Sequence, residues 1–229
     1  DLYGDTMQAI CEVHVMMKDG SEQVVVSDNT WKSYSSPVTF SNIYDGEHYD
    51  ARKEIPGWSQ PGCPAPAKGV RPGTEKLEKL TARRNPKILK KRSFTPKVLH
   101  TKKDEIVLDF GQNITGWVEF HVSEPAGAEV VLSYGEVLQD DCFYRDNLRS
   151  AKEEYRYISN GAPAHVRPHF TFYGFRYVKV EGVSHVRAED FTAWHIRSDV
   201  DPIGSIITGD ERVNQLFHNA MWGQFDNFL

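Results

Sequence analysis

DFGQNITGW, residues 109–117, lies between two stretches whose composition reads as β-strand. Its two glycines allow backbone angles that side-chain-bearing residues avoid, and no helical pattern follows, so a phosphate-cradling loop is disfavoured and a tight β-turn is expected. Just downstream, in VEFHV (118–122), Val118, Phe120 and Val122 alternate with Glu119 and His121. That period of two is the signature of a strand with one face on a core and the other towards water.

Working outward, strands are predicted at 105–110, 116–123, 129–134, 154–159, 175–181 and 191–197, separated by turn signals such as EPAG (124–127) and Asn160-Gly161. Many short strands at this spacing point to a mainly β chain of antiparallel, jelly-roll-like β-sandwich domains, not to alternating strands and helices. At the amino end, MQAICEVHVMM (7–17), the turn residues KDGS (18–21) and the β-branched run in 23–27 predict a hairpin. A further β-like stretch, 31–44, is broken by Pro37 and closes on Asp45-Gly46-Glu47.

Residues 56–73 hold five prolines and four glycines, too many fixed φ angles and missing donors for a continuing sheet or helix. The next segment, 76–103, carries eleven Lys or Arg against the single acid Glu78, a local balance of +10 in a chain whose net charge is -5. A polyanion site competes here with a solvated connector, and the connector is preferred because no aromatic stacking pattern accompanies the charges. The expected domains are therefore 1–58, the later part of an amino-terminal β-domain; 59–103, a linker; 104–200, a second β-sandwich; and 201–229, which is helical. In this last segment Thr208 and Glu211 form an expected capping box, and Val213, Leu216, Phe217, Ala220 and Met221 mark one apolar helical face that runs on, without a stop signal, to Leu229.

Charge and composition exclude several function classes. There is no overall basic bias towards nucleic acid and no apolar run of bilayer length. The chain opens on Asp1 with neither an initiator Met nor a signal-peptide pattern, which reads as a cut or processed end. Cys11, Cys63 and Cys142 are odd in number and widely spaced, favouring free thiols over a disulfide framework; the compartment stays open, with a periplasmic or extracellular site preferred. The nine histidines form no HExxH motif and no GxSxG occurs, so zinc-protease and serine chemistry have no support.

Three clusters remain. YDGEHYDAR (44–52) with Trp58 mixes carboxylates and aromatic rings as sugar-binding surfaces do, which makes Tyr44, Glu47, Tyr49, Arg52 and Trp58 the candidate carbohydrate-binding residues. The alternative is an Asp-Gly turn with Arg52 tied into a salt bridge. Asp140, Asp141 and Asp146 are better explained as a β-connection than as an acid and base pair. Asp28-Asn29 supplies too few oxygens for calcium without a recognisable loop, so no metal or other cofactor is expected, calcium being the one ion worth testing. Trp31, Trp58, Trp117 and Trp194 are expected to pack in the core or between domains.

The run DNTWKSYSSPVTFSNIYDGEHYDARKEIPGW (28–58) resembles the end of the amino-terminal β-domain of bacterial α-L-rhamnosidases, glycoside hydrolase family 78. IVLDFGQNITGWVEFHV, GEVLQDD, NLRSAKEEYRYISNG and PHFTFYGFRYVKVEG are similar to that family's next β-domain, and TGDERVNQLFHNAMWGQFDNFL is similar to the first helix of its catalytic barrel. The resemblance implies inverting hydrolysis of terminal α-L-rhamnosyl groups by a full-length enzyme with an (α/α)6 barrel, rhamnose-containing glycans as its partners, and packing of that barrel on the carboxy-terminal helix. It places no catalytic residue within the chain, because the family's acid-rich DCPQR-type segment has no counterpart in residues 1–229.

Overall fold

The computed structural model describes residues 6–63, 67–73, 78 and 80–229. Lys76 and Lys79 of the basic segment lie outside them. The chain divides into two compact units, residues 1–36 with 55–83 and residues 37–54 with 84–229.

The first unit contains the predicted hairpin. β1 (Glu12–Met16) pairs antiparallel with β2 (Glu22–Val26), and Gly20, at φ +84°, makes the turn between them. A short pair, β3 (Lys32–Ser33) with β6 (Lys68–Gly69), ties the proline-rich stretch back onto the unit. None of its described residues is buried.

The second unit is one ten-stranded sheet followed by a single helix. Its path runs β4 (Val38–Asn42), β5 (Gly46–Asp50), β13 (Glu154–Ile158), β10 (Glu129–Gly135), β15 (Tyr173–Glu181), β9 (Ile106–Val122), β16 (Phe191–Ser198) and β7 (Ile88–Phe94). β8 (Lys97–His100) and β14 (Ala164–Val166) also pair with β9, and a small hairpin joins β11 (Val137–Gln139) to β12 (Cys142–Tyr144). Pairing is antiparallel except between β5 and β13, which run parallel and bring residues 37–54 into the later block of strands.

The sheet closes over its own core. β13 lies three places from β9, about 14 Å away in a flat sheet, yet the Phe120 and Tyr155 ring centroids are 6.2 Å apart. The strands have curled until inward rings from distant positions meet. Phe120 also stacks on Phe191, and Tyr134 on Tyr173 at 3.8 Å, in a core built with Leu108, Leu132, Phe175 and Val178.

Several sequence expectations change. DFGQNITGW is not a turn between two strands: it lies inside the 17-residue β9. Asp109 pairs with Tyr177 and Ile114 with Phe175, so four β9 residues oppose the single residue Arg176 and the strand bulges outward. Gly111, at φ +76°, makes the bulge possible, and Asp109 holds it by accepting the Gly111 N–H at 2.7 Å and a two-pronged contact from Arg176. Gly116 has a different role, since a Cβ there would come within 1.8 Å of the Trp194 carbonyl oxygen of β16.

The expected connector at 76–103 supplies the two strands β7 and β8, because β16 and β9 offer free edges to its alternating residues. Helix α1 spans Glu211–Phe225, capped by Asp210, whose side chain accepts from Arg212 N–H, in place of the expected Thr208. Thr208 instead bonds Asn214. The helix stops at Phe225 and does not continue to Leu229, because the Asp226 carbonyl is taken by the Thr115 hydroxyl and the Phe228 carbonyl by Ser198 N–H. The docked edge overlaps the expected face only in part: Phe217 and Met221 are half-buried with Trp222 and Phe225, while Val213, Ala220 and Leu216, the last 68% exposed, face away.

Of the tryptophans, Trp117 and Trp194 are half-buried beside Lys90, whereas Trp31 and Trp58 are exposed and do not pack in a core. Asp140 and Asp141 are the two positive-φ residues of the β11–β12 turn, with Asp141 also bound to Lys102 at 2.7 Å. No helix among the described residues is long and apolar enough to cross a membrane.

Candidate functional site

The acidic and aromatic stretch at 44–52 forms β5 and the turns on either side of it. Gly46 opens the strand at φ +105°, where a Cβ would meet the Glu154 carbonyl at 1.9 Å, so a side chain does not fit there. Glu47 follows with 0% exposure. Its carboxylate accepts the backbone N–H groups of His169, at 3.0 Å to each oxygen, and of Phe170, at 2.8 Å, and contacts His169 Nδ1 at 3.1 Å. A buried carboxylate satisfied by backbone donors organises a loop, and its acceptor capacity is spent doing so.

Tyr49 stacks on His169 with ring centroids 5.2 Å apart and donates its hydroxyl to Glu54 at 2.7 Å. Burial, reinforced by Glu54, pushes its phenol above the ordinary tyrosine range. Arg52 grips Asp50 through Nε at 2.8 Å and Nη2 at 2.9 Å, and these bonds hold the Asp50 carboxyl below the usual carboxylate range. Glu47, Tyr49 and Arg52 thus lie along one short segment with partners already in place. Tyr44 and Trp58 are each 69% exposed, and Trp58 belongs to the other unit. Asp28 accepts the N–H and hydroxyl of Thr30. No group of three or more His, Cys, Asp or Glu side chains able to hold a metal ion occurs among the described residues.

A second cluster beside β5 was missed in the sequence. Glu153 sits at φ +44°, donating its N–H to the Tyr44 carbonyl and accepting Tyr134 N–H. Its Oε2 is buried without a hydrogen-bond partner among the described residues, and burial, with Glu136 adding repulsion, pushes its carboxyl up to about 7. Glu136 is held by the side-chain amides of Asn113 and Asn147. Arg145 binds Glu154 at 3.3 Å. No local pattern marks this cluster, because its members come from four separate segments.

The third arrangement fixes α1 to the sheet. Asp226 Oδ1 accepts Thr115 N–H at 3.0 Å and lies 3.4 Å from Nε2 of His195, which is 2% exposed. Arg197 covers the Phe225 ring at 4.5 Å, and Trp222 meets His195 edge to face at 5.2 Å. The Thr115–Asp226 contact joins residues 111 positions apart, which no periodicity in the sequence reveals.

Residues 1–92 match the α-L-rhamnosidase N-terminal domain, and residues 99–197 match the bacterial α-L-rhamnosidase concanavalin-like domain. The chain is similar to an α-L-rhamnosidase of Streptomyces avermitilis, 34% identical over 99% of this chain and 23% of the relative, and to one of Formosa agariphila, 33% identical over 98% and 25%. Among solved structures it resembles the α-L-rhamnosidase of Aspergillus terreus, with a TM-score of 0.91 and 30% identity over 96% of this chain and 26% of that one. It also resembles the Streptomyces avermitilis α-L-rhamnosidase complexed with L-rhamnose, with a TM-score of 0.90 and 32% identity over 96% and 22%. The chain thus spans about a quarter of the length of the relatives it matches. Two successive domain matches, and agreement of fold along nearly the whole chain, lead to one conclusion: the chain belongs to the bacterial α-L-rhamnosidase family, glycoside hydrolase family 78.

Proposed function

We propose that this polypeptide is the accessory β-domain portion of an α-L-rhamnosidase whose complete form removes terminal α-L-rhamnosyl groups with inversion, and that residues 1–229 alone do not turn over substrate. The observation that carries this reading is the match of nearly the whole chain to about a quarter of several α-L-rhamnosidases. The carboxylates support it. Inverting hydrolysis needs one carboxylic acid to protonate the leaving oxygen and one carboxylate to activate water across the sugar. Here Asp50, Asp109, Glu119 and Glu154 are each committed to an Arg or Lys, and Glu47 and Glu124 to backbone N–H groups.

Helix α1 supports the second half of the reading. It is clamped at its carboxy end while Val213 and Leu216 remain exposed, a surface suited to packing against the catalytic barrel. The test is hydrolysis of an aryl α-L-rhamnoside. Residues 1–229 should give no turnover above background, and the same polypeptide extended through its barrel should hydrolyse the substrate with inversion. Turnover by residues 1–229 that disappears in Glu153→Gln would overturn the proposal, since Glu153 is the carboxyl here with a proton to give near neutrality.

An independent sugar-binding role is the alternative favoured by the exposed Tyr44 and Phe170 rings on either side of the Glu47 contact. Calorimetric titration with rhamnose, with and without calcium, separates the two, because the accessory reading expects the chain itself not to bind rhamnose.

A further inference from the structure

The triplet Lys90-Lys91-Arg92 on β7 is the centre of the basic segment, and the structure treats its members differently. Lys90 binds Glu119 at 2.5 Å, and Lys91 binds Asp199 at 2.5 Å. Arg92 has no carboxylate partner among the described residues. Its guanidinium lies 5.0 Å from the centre of the Phe94 ring and 5.9 Å from that of Trp222. It stands at a cleft of about 270 Å³ bordered by Phe94, Gly111, Gln112, His218 and Trp222, with no acidic residue in the lining.

The cleft is constructed by the β9 bulge. Gly111 and Gln112 are among the residues forced out of register there, and the Asp109–Arg176 pair holds that backbone in place. Gln112 uses its amide N–H on the Asn113 carbonyl, leaving its side-chain oxygen as an acceptor. His218 accepts the Trp222 indole N–H through Nε2, so its neutral ring carries the proton on Nδ1 as a donor.

We infer that this cleft binds a sugar acid, a uronate, through its carboxylate. The planar guanidinium of Arg92 matches a carboxylate with two parallel N–H···O bonds and one compensating charge. The Phe94 and Trp222 rings border the pyranose, and the Gln112 oxygen and His218 Nδ1 are complementary to ring hydroxyls. Choosing a sugar over an acidic protein side chain rests on the proposed rhamnosidase role, in which the partner is a glycan, and on the two aromatic rings at the cleft.

The experiment titrates the 229-residue chain with D-glucuronate and D-galacturonate, using methyl α-L-rhamnoside, glutarate and phosphate as comparators. Heat and the Trp222 indole N–H resonance are followed. Uronates should bind with millimolar affinity and shift that resonance, weakening at least about tenfold in Arg92→Gln, with partial recovery in Arg92→Lys and no change in Lys91→Gln. Three results would overturn the inference: no uronate binding at about 50 mM, binding unaltered in Arg92→Gln, or glutarate or phosphate binding as tightly as the uronates. Hydrolysis of an aryl rhamnoside by the barrel-extended protein is read separately. Loss of uronate binding with hydrolysis intact removes only the cleft, whereas uronate binding without hydrolysis removes only the enzymatic reading.

Discussion

Glu153 combines a left-handed backbone, a buried carboxyl oxygen without a hydrogen-bond partner among the described residues, and a second carboxyl, Glu136, close enough to raise its proton affinity. Such a residue costs stability and persists where its surroundings fix it. Its pH dependence has a definite sign. A glutamate whose affinity for protons rises on folding binds more protons folded than unfolded between the ordinary glutamate value and about 7, so stability falls as pH rises through that window. Glu153→Gln should remove this dependence and stabilise the chain at pH 8 by about 1 kcal/mol, a figure reduced for the group's partial exposure. Denaturant midpoints for both proteins at pH 5 and pH 8 check it, and a variant equally destabilised at both would show that the carboxyl supports its neighbours. From sequence, Glu153 was only one of two acids in KEE (152–154); what distinguishes it depends on Glu136 and Arg145 arriving from other segments.

At the level of elements, the strands were legible where burial alternates, and less so where a partner changes a residue's surroundings. Val118, Phe120 and Val122 are buried as their pattern required, but Glu119, expected to face water, is buried too because Lys90 and Trp117 cover its carboxylate. Gly111 of DFGQNITGW marked backbone irregularity correctly, yet a local pattern cannot distinguish a turn from a bulge: that depends on whether the next residues rejoin the same neighbouring strand, and here they rejoin β15. Helix α1 poses the same problem, since its docked edge is chosen by Thr115, His195 and Arg197 on distant strands. Removing the Asp226 carboxylate leaves the Thr115 N–H without its acceptor, so Asp226→Ala should cost about 1–3 kcal/mol and release the helix. Hydrogen exchange would show α1 amides losing protection while those of β9 and β15 keep theirs; parallel loss in both would mean that the helix is integral to the sheet's folding.

Across the whole molecule, buried residues are distributed very unevenly. All of those described lie in the unit made from residues 37–54 and 84–229, and none in residues 6–36 or the described parts of 55–83. The chain therefore leaves the larger unit after β5 and re-enters it at β7, and the piece left behind is held without a covalent shortcut. Five residue pairs, from Gly46 with Glu154 to Asp50 with Ile158, join β5 to β13. Glu47, buried and holding the His169–Phe170 backbone, and Ala51, packed in the core, add to that attachment. Opening β5 would expose that carboxylate's backbone donors and break the edge of the sheet, so it should occur only with wider unfolding. Limited trypsin cleavage after Lys68 or Arg83, in the unit none of whose described residues is buried, should consequently give a nicked protein whose two pieces co-elute on gel filtration. Separation should require denaturant at the concentration that also unfolds β9 and β15. Glu47→Ala, which strips the loop's N–H groups of their acceptor, should let the pieces part at lower denaturant. If the intact sequence released its amino-terminal piece on nicking in native buffer, the parallel β5–β13 ladder would not be part of the cooperative core.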